Sequence, residues 1–242
     1  MPARFSLSLR LFFTAFLSLC LLAGCSGKQV RVTTESEFNV MAKRLTPLLH
    51  QRGVIDDHGA YFSAAFDASH LPMPLGEYLF RRLSPAFRFK VDPALLPPTF
   101  SASRTAGDTV EMQPYGFMLA QGADIVTVTL LAGTDWNDDG ADEWLVLCRV
   151  KPLVGKNNMR DYYLLIEKPG AALLVPRLLA VYDCLSRSCK LFVDVNEKKP
   201  PYSPEDPLIE VKIGQKDVTL PPNAPPPPNA PGHDFKESKL GG

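Results

Sequence analysis

Ile125-Val126-Thr127-Val128-Thr129-Leu130-Leu131 and Trp144-Leu145-Val146-Leu147-Cys148-Arg149-Val150 flank the stretch Asp135-Trp136-Asn137-Asp138-Asp139-Gly140-Ala141-Asp142-Glu143. The two flanks are rich in β-branched and aliphatic residues, and the segment between them is polar with an Asp-Gly step. That is the pattern of two strands joined by a turn. Similar short apolar runs at 117–120, 162–166, 173–182, 191–195 and 208–213 predict further strands, most of them separated by turn residues. Pro176 lacks an amide donor, so the run that holds it reads as an edge strand or a break.

Upstream the period changes. Phe38, Met41, Leu45, Leu48 and Leu49 line one face of a helix that ends near Gly53, with Pro47 kinking or shortening it. Thr34 and Glu37 have the spacing of a capping box. Leu75, Leu79, Phe80 and Leu83 mark a second amphipathic helix that stops before Pro85, and Phe87, Phe89 and Val91 alternate with Arg88 and Lys90 like a half-buried strand. The fold class expected is α+β, with an N-terminal helical lobe packed on a mainly antiparallel sheet.

The acidic segment is where residue identity implies chemistry. Oxygen-bearing side chains stand at positions 1, 3, 5 and 9, with glycine at 6. Calcium takes six to eight oxygen ligands, and this spacing can aim Asp135, Asn137, Asp139 and Glu143 at one point while the Ala141 carbonyl adds another. Five carboxylates within nine residues repel one another unless a cation is present. The same residues also suit a metal-free hairpin turn.

This segment resembles the calcium loops of FG-GAP and VCBS-type repeats, in which an Asp-x-Asn-x-Asp-Gly-x-Asp-Asp run joins two apolar strands. The resemblance implies a structural calcium ion held by Asp135, Asn137, Asp139, Ala141 and Glu143. Glu143 replaces the usual final Asp. Asp194-Val195-Asn196-Glu197-Lys198 begins alike, but Lys198 would repel a cation at the fifth position, so a many-bladed propeller is not expected.

The chain opens with Arg4 and Arg10, an apolar run at 11–22, and Leu22-Ala23-Gly24-Cys25. A dozen apolar residues cannot span ~30 Å of hydrocarbon as a helix, which needs about 20, whereas the order of charge, apolar run and small residues suits a cleaved export signal. The ending resembles the signal peptides of bacterial lipoproteins. That resemblance implies lipidation of Cys25, attachment to a membrane through the lipid, and a place in the cell envelope facing the periplasm or exterior. Ser26 after the cysteine resembles lipoproteins of the outer membrane where two membranes exist. The expected boundaries are a signal peptide over 1–24, a lipidated tether over 25–35, one globular domain over 36–220 and a proline-rich disordered tail over 221–242.

Composition narrows the partners. The 26 basic and 26 acidic side chains become 24 and 26 once Arg4 and Arg10 leave with the signal. No basic excess is present for phosphate neutralisation, so no nucleic-acid partner is expected. Seven of the eleven residues at 221–231 are proline, which dictates extended, solvated polyproline II as a spacer or a ligand for a proline-binding partner.

Cys184 and Cys189 sit at the inner ends of two apolar runs, where a disulfide can staple a hairpin neck; a metal pair is the other reading. Cys148 reads as a buried thiol. Asp56, Asp57, His58 and His70 are metal-capable but lack fixed spacing. Arg81, Arg82, Arg88 and Lys90, interleaved with Phe80, Phe87 and Phe89, suit either an anionic lipid or glycan surface or an ordinary outward-facing cationic edge. No nucleophile elbow, metalloprotease helix, phosphate loop or dinucleotide fingerprint occurs in the sequence. The function expected is a non-enzymatic envelope lipoprotein that binds or assembles with a protein or glycan. The alternatives are a periplasmic hydrolase working through carboxylates, and an adaptor acting through its tail.

Overall fold

The computed structural model describes residues 27–89, 92–154, 158–185 and 188–194, with the backbone alone at 209–211. The expected signal peptide over 1–24, Cys25 and the expected proline-rich tail over 221–242 lie outside the described residues.

Eight consecutive strands form an up-and-down meander: β3 (Thr109–Gln113), β4 (Gly116–Gln121), β5 (Asp124–Thr134), β6 (Glu143–Pro152), β7 (Met159–Ile166), β8 (Arg177–Leu185), β9 (Ser188–Val193) and β10 (Ile209–Val211). Each pairs antiparallel with the next. Two earlier strands, β1 (Gln29–Val32) and β2 (Phe62–Ala65), pair parallel with each other. Between them run helices α1 (Glu35–Arg44) and α2 (Thr46–Gln51), which supply the long crossover that a parallel pair requires. β5 is forked: residues 124–129 pair with β4, and Ala132 and Gly133 pair with β1. The third helix, α3 (Leu75–Arg82), precedes the meander.

Both faces of the sheet are buried. Along β6, Trp144, Val146 and Cys148 enter a core shared with α3, Phe87 and Phe100, whereas Leu145 and Leu147 enter a second core with α1, α2 and Trp136. This explains why β6 reads as a continuous apolar run rather than an alternating one, since side chains alternate between faces and here both faces are covered. A register shift at Leu130/Ala132 inserts an extra residue into β5. Leu130 then belongs to the first core, and Leu131 and Ala132 both belong to the second.

Several expectations are corrected. The sheet dominates, so the fold is mainly β, and the helices do not gather into an N-terminal lobe. A single lobe would cover one face and leave half of each central strand's apolar residues in water, so α1 and α2 take one face and α3 the other. Pro47 does shorten the first helix, as expected: the run divides into two helices at Leu45, and Pro47 falls in the opening turn of α2, where its missing amide costs nothing. Thr34 has extended backbone as an N-cap should, but its hydroxyl makes no capping bond. Phe87 and Arg88, expected to open a strand over 87–91, fall instead in a 3-10 turn, Ala86–Arg88, after Pro85, and residues 90 and 91 lie outside the described residues. Residues 29–32, expected in the tether, are strand β1: Val30 and Val32 are buried in the second core while Gln29 and Arg31 face outward. The chain is thus tied into the sheet from Gln29 onward.

Candidate functional site

The acidic loop joins β5 to β6 and is wound by its own side chains. Asp135 accepts the Asp139 amide on Oδ1 (3.1 Å) and the Gly140 amide on Oδ2 (3.0 Å). Asn137 Oδ1 accepts the Asp139 amide at 3.0 Å, and its Nδ2 donates to Asp139 Oδ2 at 3.0 Å. Asp139 Oδ1 accepts the Ala141 amide at 2.8 Å. These are nested Asx turns, the local alternative that Asp and Asn side chains offer the backbone. Two residues take left-handed backbone, Asp138 at φ 63° and Gly140 at φ 85°, and Asp is among the few side chains that tolerate it.

Glu143 closes the loop from β6. It is 2% exposed, and its Oε2 accepts the Trp136 amide at 2.6 Å. Burial pushes the Glu143 carboxyl above its ordinary range, and the charges of Asp139 and Asp135 push it further, against the opposing effect of the Trp136 N–H. Trp136 itself is buried beneath the loop, with the Arg52 guanidinium 5.8 Å from its ring centre.

The carboxylates divide by partner. Asp138 pairs with Lys28 (3.1 Å), whose Nζ also donates to the Trp136 carbonyl at 3.1 Å, and Asp142 pairs with Arg31. Both cations come from the β1 segment. Asp135, Asp139 and Glu143 pair with no lysine or arginine among the described residues and receive backbone amides instead. The residues expected as calcium ligands therefore share one set of contacts, and the two acidic residues outside that set share another. Among the described residues, no three His, Cys, Asp or Glu side chains are grouped in a metal-binding arrangement.

Similarity to known proteins offers no further guide. The chain matches no family model, no curated protein and no solved structure. The reading of the loop therefore rests on its own geometry.

At the β8–β9 hairpin, Cys184 and Cys189 are directly opposed and joined as a disulfide, with Cα atoms 4.1 Å apart. Cys148 is free and fully buried, and burial pushes its thiol up to about 12. The remaining candidates stay apart. Asp56 Oδ1 accepts the amides of His58 and Ala60 in a surface turn, which holds its carboxyl below the usual range, and Asp57 pairs with His50 at 2.5 Å. Arg81 pairs with Glu77, and Arg82 donates to the Tyr78 hydroxyl and the Ala171 carbonyl, while Phe80 and Phe87 turn inward.

One polar cluster escaped the sequence reading. Asp161, on β7, is fully buried and receives Arg149 through two bonds of 2.7 and 2.8 Å and Arg44 at 2.8 Å. Arg44 also donates to the Tyr163 hydroxyl and stacks on Tyr182, 3.7 Å from the ring centre. The bidentate bond to Asp161 raises the Arg149 pKa. Only the Arg149–Asp161 pair had a local signal, through neighbouring strands; Arg44 arrives from α1, far away in sequence.

Proposed function

We propose that this chain is a lipid-anchored envelope lipoprotein whose folded domain is a binding or assembly module rather than an enzyme, with the β5–β6 loop as a structural calcium site. Cys25 carries the lipid, and the proline-rich tail is an extended spacer. The observation that supports the loop assignment is the division of its charges. Lys28 and Arg31 neutralise Asp138 and Asp142, and Asp135, Asp139 and Glu143 are left with amides alone.

An oxygen that accepts one amide still has a lone pair for a cation, so the nested turns and an ion are compatible. Calcium would supply the positive charge that this half of the loop receives from no side chain among the described residues, and Asp135, Asn137, Asp139, the Ala141 carbonyl and Glu143 would hold it. The donors are all hard oxygens, five of them before any water is counted, which suits the six to eight oxygen ligands of calcium over the strict octahedron of magnesium.

Calcium titration with calorimetry and thermal melting tests the reading. A site with affinity near ~0.1 mM gains about 1.4 kcal/mol from ~1 mM calcium by mass action, so the melting temperature rises by several degrees with calcium and far less with magnesium. No heat of binding at millimolar calcium returns the loop to an acidic hairpin turn. The anchor has a separate test: Cys25→Ala leaves the protein uncleaved or released in soluble form, whereas a processed, detergent-requiring mutant rejects the lipidation.

A further inference from the structure

Gly27, the first described residue, sits against the Cδ2–Cε2 edge of the Phe62 ring. A Cβ at position 27 would come within 2.5 Å of Cε2 and 2.7 Å of Cδ2. Phe62 opens β2, stands opposite Gln29 in the parallel pair and is 55% exposed. β2 is the terminal strand of the sheet order, and its sequence Phe-Ser-Ala-Ala carries no charge. The chain entering this corner is fastened down: the Lys28 amide donates to the Gly53 carbonyl, and the Lys28 side chain is held by Asp138 and the Trp136 carbonyl.

We propose that the Gly27–Phe62 corner is the surface on which the domain rests against its membrane, with the Phe62 ring entering the boundary between headgroups and acyl chains. The proposal rests on lipidation of Cys25. Consecutive Cα atoms are 3.8 Å apart, so whatever path the chain takes, Cys25 lies within ~7.6 Å of Gly27. The polar zone on each side of a bilayer is about 5–8 Å deep. A lipidated Cys25 at the membrane surface therefore draws this corner into the headgroups instead of letting the domain swing on a tether.

The chemistry of the corner agrees. A half-exposed aromatic ring beside an uncharged strand favours the interfacial zone. The acidic loop stands at the same edge, and an anionic leaflet would repel it, but Lys28 and Arg31 offset two of its carboxylates there. A second copy pairing along β2 is the competing occupant, and it makes a different mark in the same experiment.

The test uses the full lipidated chain carrying Gln29→Cys, exposed and opposite Phe62 in the parallel pair, with a nitroxide on the new thiol so that the Phe62 ring is kept; native Cys148 is buried and does not compete. The protein is reconstituted in phosphatidylcholine–phosphatidylglycerol vesicles, and mass spectrometry of its N-terminal peptide establishes whether the lipid is present. With the lipid present, collision of the nitroxide with a water-soluble nickel chelate falls about fivefold below that of a water-exposed label, and collision with membrane-dissolved oxygen rises. A lipidated protein whose label stays fully water-accessible overturns the membrane contact alone. Dipolar broadening between labels that persists on dilution in excess lipid assigns the corner to a second copy and overturns it too. An N-terminal peptide without lipid overturns the anchor, and this inference falls with it.

Discussion

Asp138 and Asp139 are adjacent carboxylates with opposite surroundings, which makes them a controlled pair. Asp138 is largely exposed and faces Lys28, whereas Asp139 accepts an amide within the loop and lies near Glu143. Changing each to Asn keeps the shape, respects the left-handed backbone at 138 and removes one charge. Asp139→Asn should abolish the calcium-induced rise in melting temperature, and Asp138→Asn should retain most of it, at a cost within the ~0–1 kcal/mol of an exposed ion pair. Equal loss in both variants would mean that the loop responds to net charge and not to ligand position. Asp161 is a different case, since it is fully buried between two arginines. Asp161→Ala leaves both guanidiniums without their carboxylate, and urea melts should show a loss of about 3–5 kcal/mol.

At the scale of elements, α3 is positioned by a close approach. A Cβ on Gly76 would lie 2.0 Å from the Gly116 carbonyl oxygen and 2.5 Å from that of Gln113, both in the β3–β4 hairpin. Those atoms are backbone and cannot turn aside, so Gly76→Ala should destabilise by about 1–3 kcal/mol or more through displacement of the helix. A wild-type denaturation midpoint in that variant would show that α3 is not seated as described. Legibility in the sequence follows the same division between local and distant causes. β4 through β10 were readable because their apolar runs are bounded by turn residues. β1 was missed although Gln-Val-Arg-Val alternates cleanly, because four residues beside an expected signal peptide look like a tether. β2 has only Phe62 as a strong strand former, and β3 mixes Glu111 and Gln113 into a partly exposed hairpin arm. At the site, the spacing of Asp135, Asn137, Asp139 and Glu143 was legible, but the pairing of Asp138 and Asp142 with β1 was not, since it depends on β1 docking beside β5.

On the scale of the whole molecule, one covalent staple and one hidden thiol report on integrity. The Cys184–Cys189 link closes a short loop, and by chain entropy its reduction should cost about 2 kcal/mol. Native protein should show no thiol reactive with an aromatic disulfide reagent at pH 8, and unfolding should release Cys148; immediate labelling of the native protein would contradict the buried core. The forked strand β5 has a consequence in time. β1 is the first of these strands to leave the ribosome, yet Ala132 and Gly133, its partners on β5, follow about a hundred residues later, and closing so long a loop is slow compared with forming the β5–β6 or β6–β7 hairpins. This first strand is therefore seated after those hairpins, and until it arrives the apolar residues of β1 and the open edge of β5 at Ala132 and Gly133 remain available to other chains.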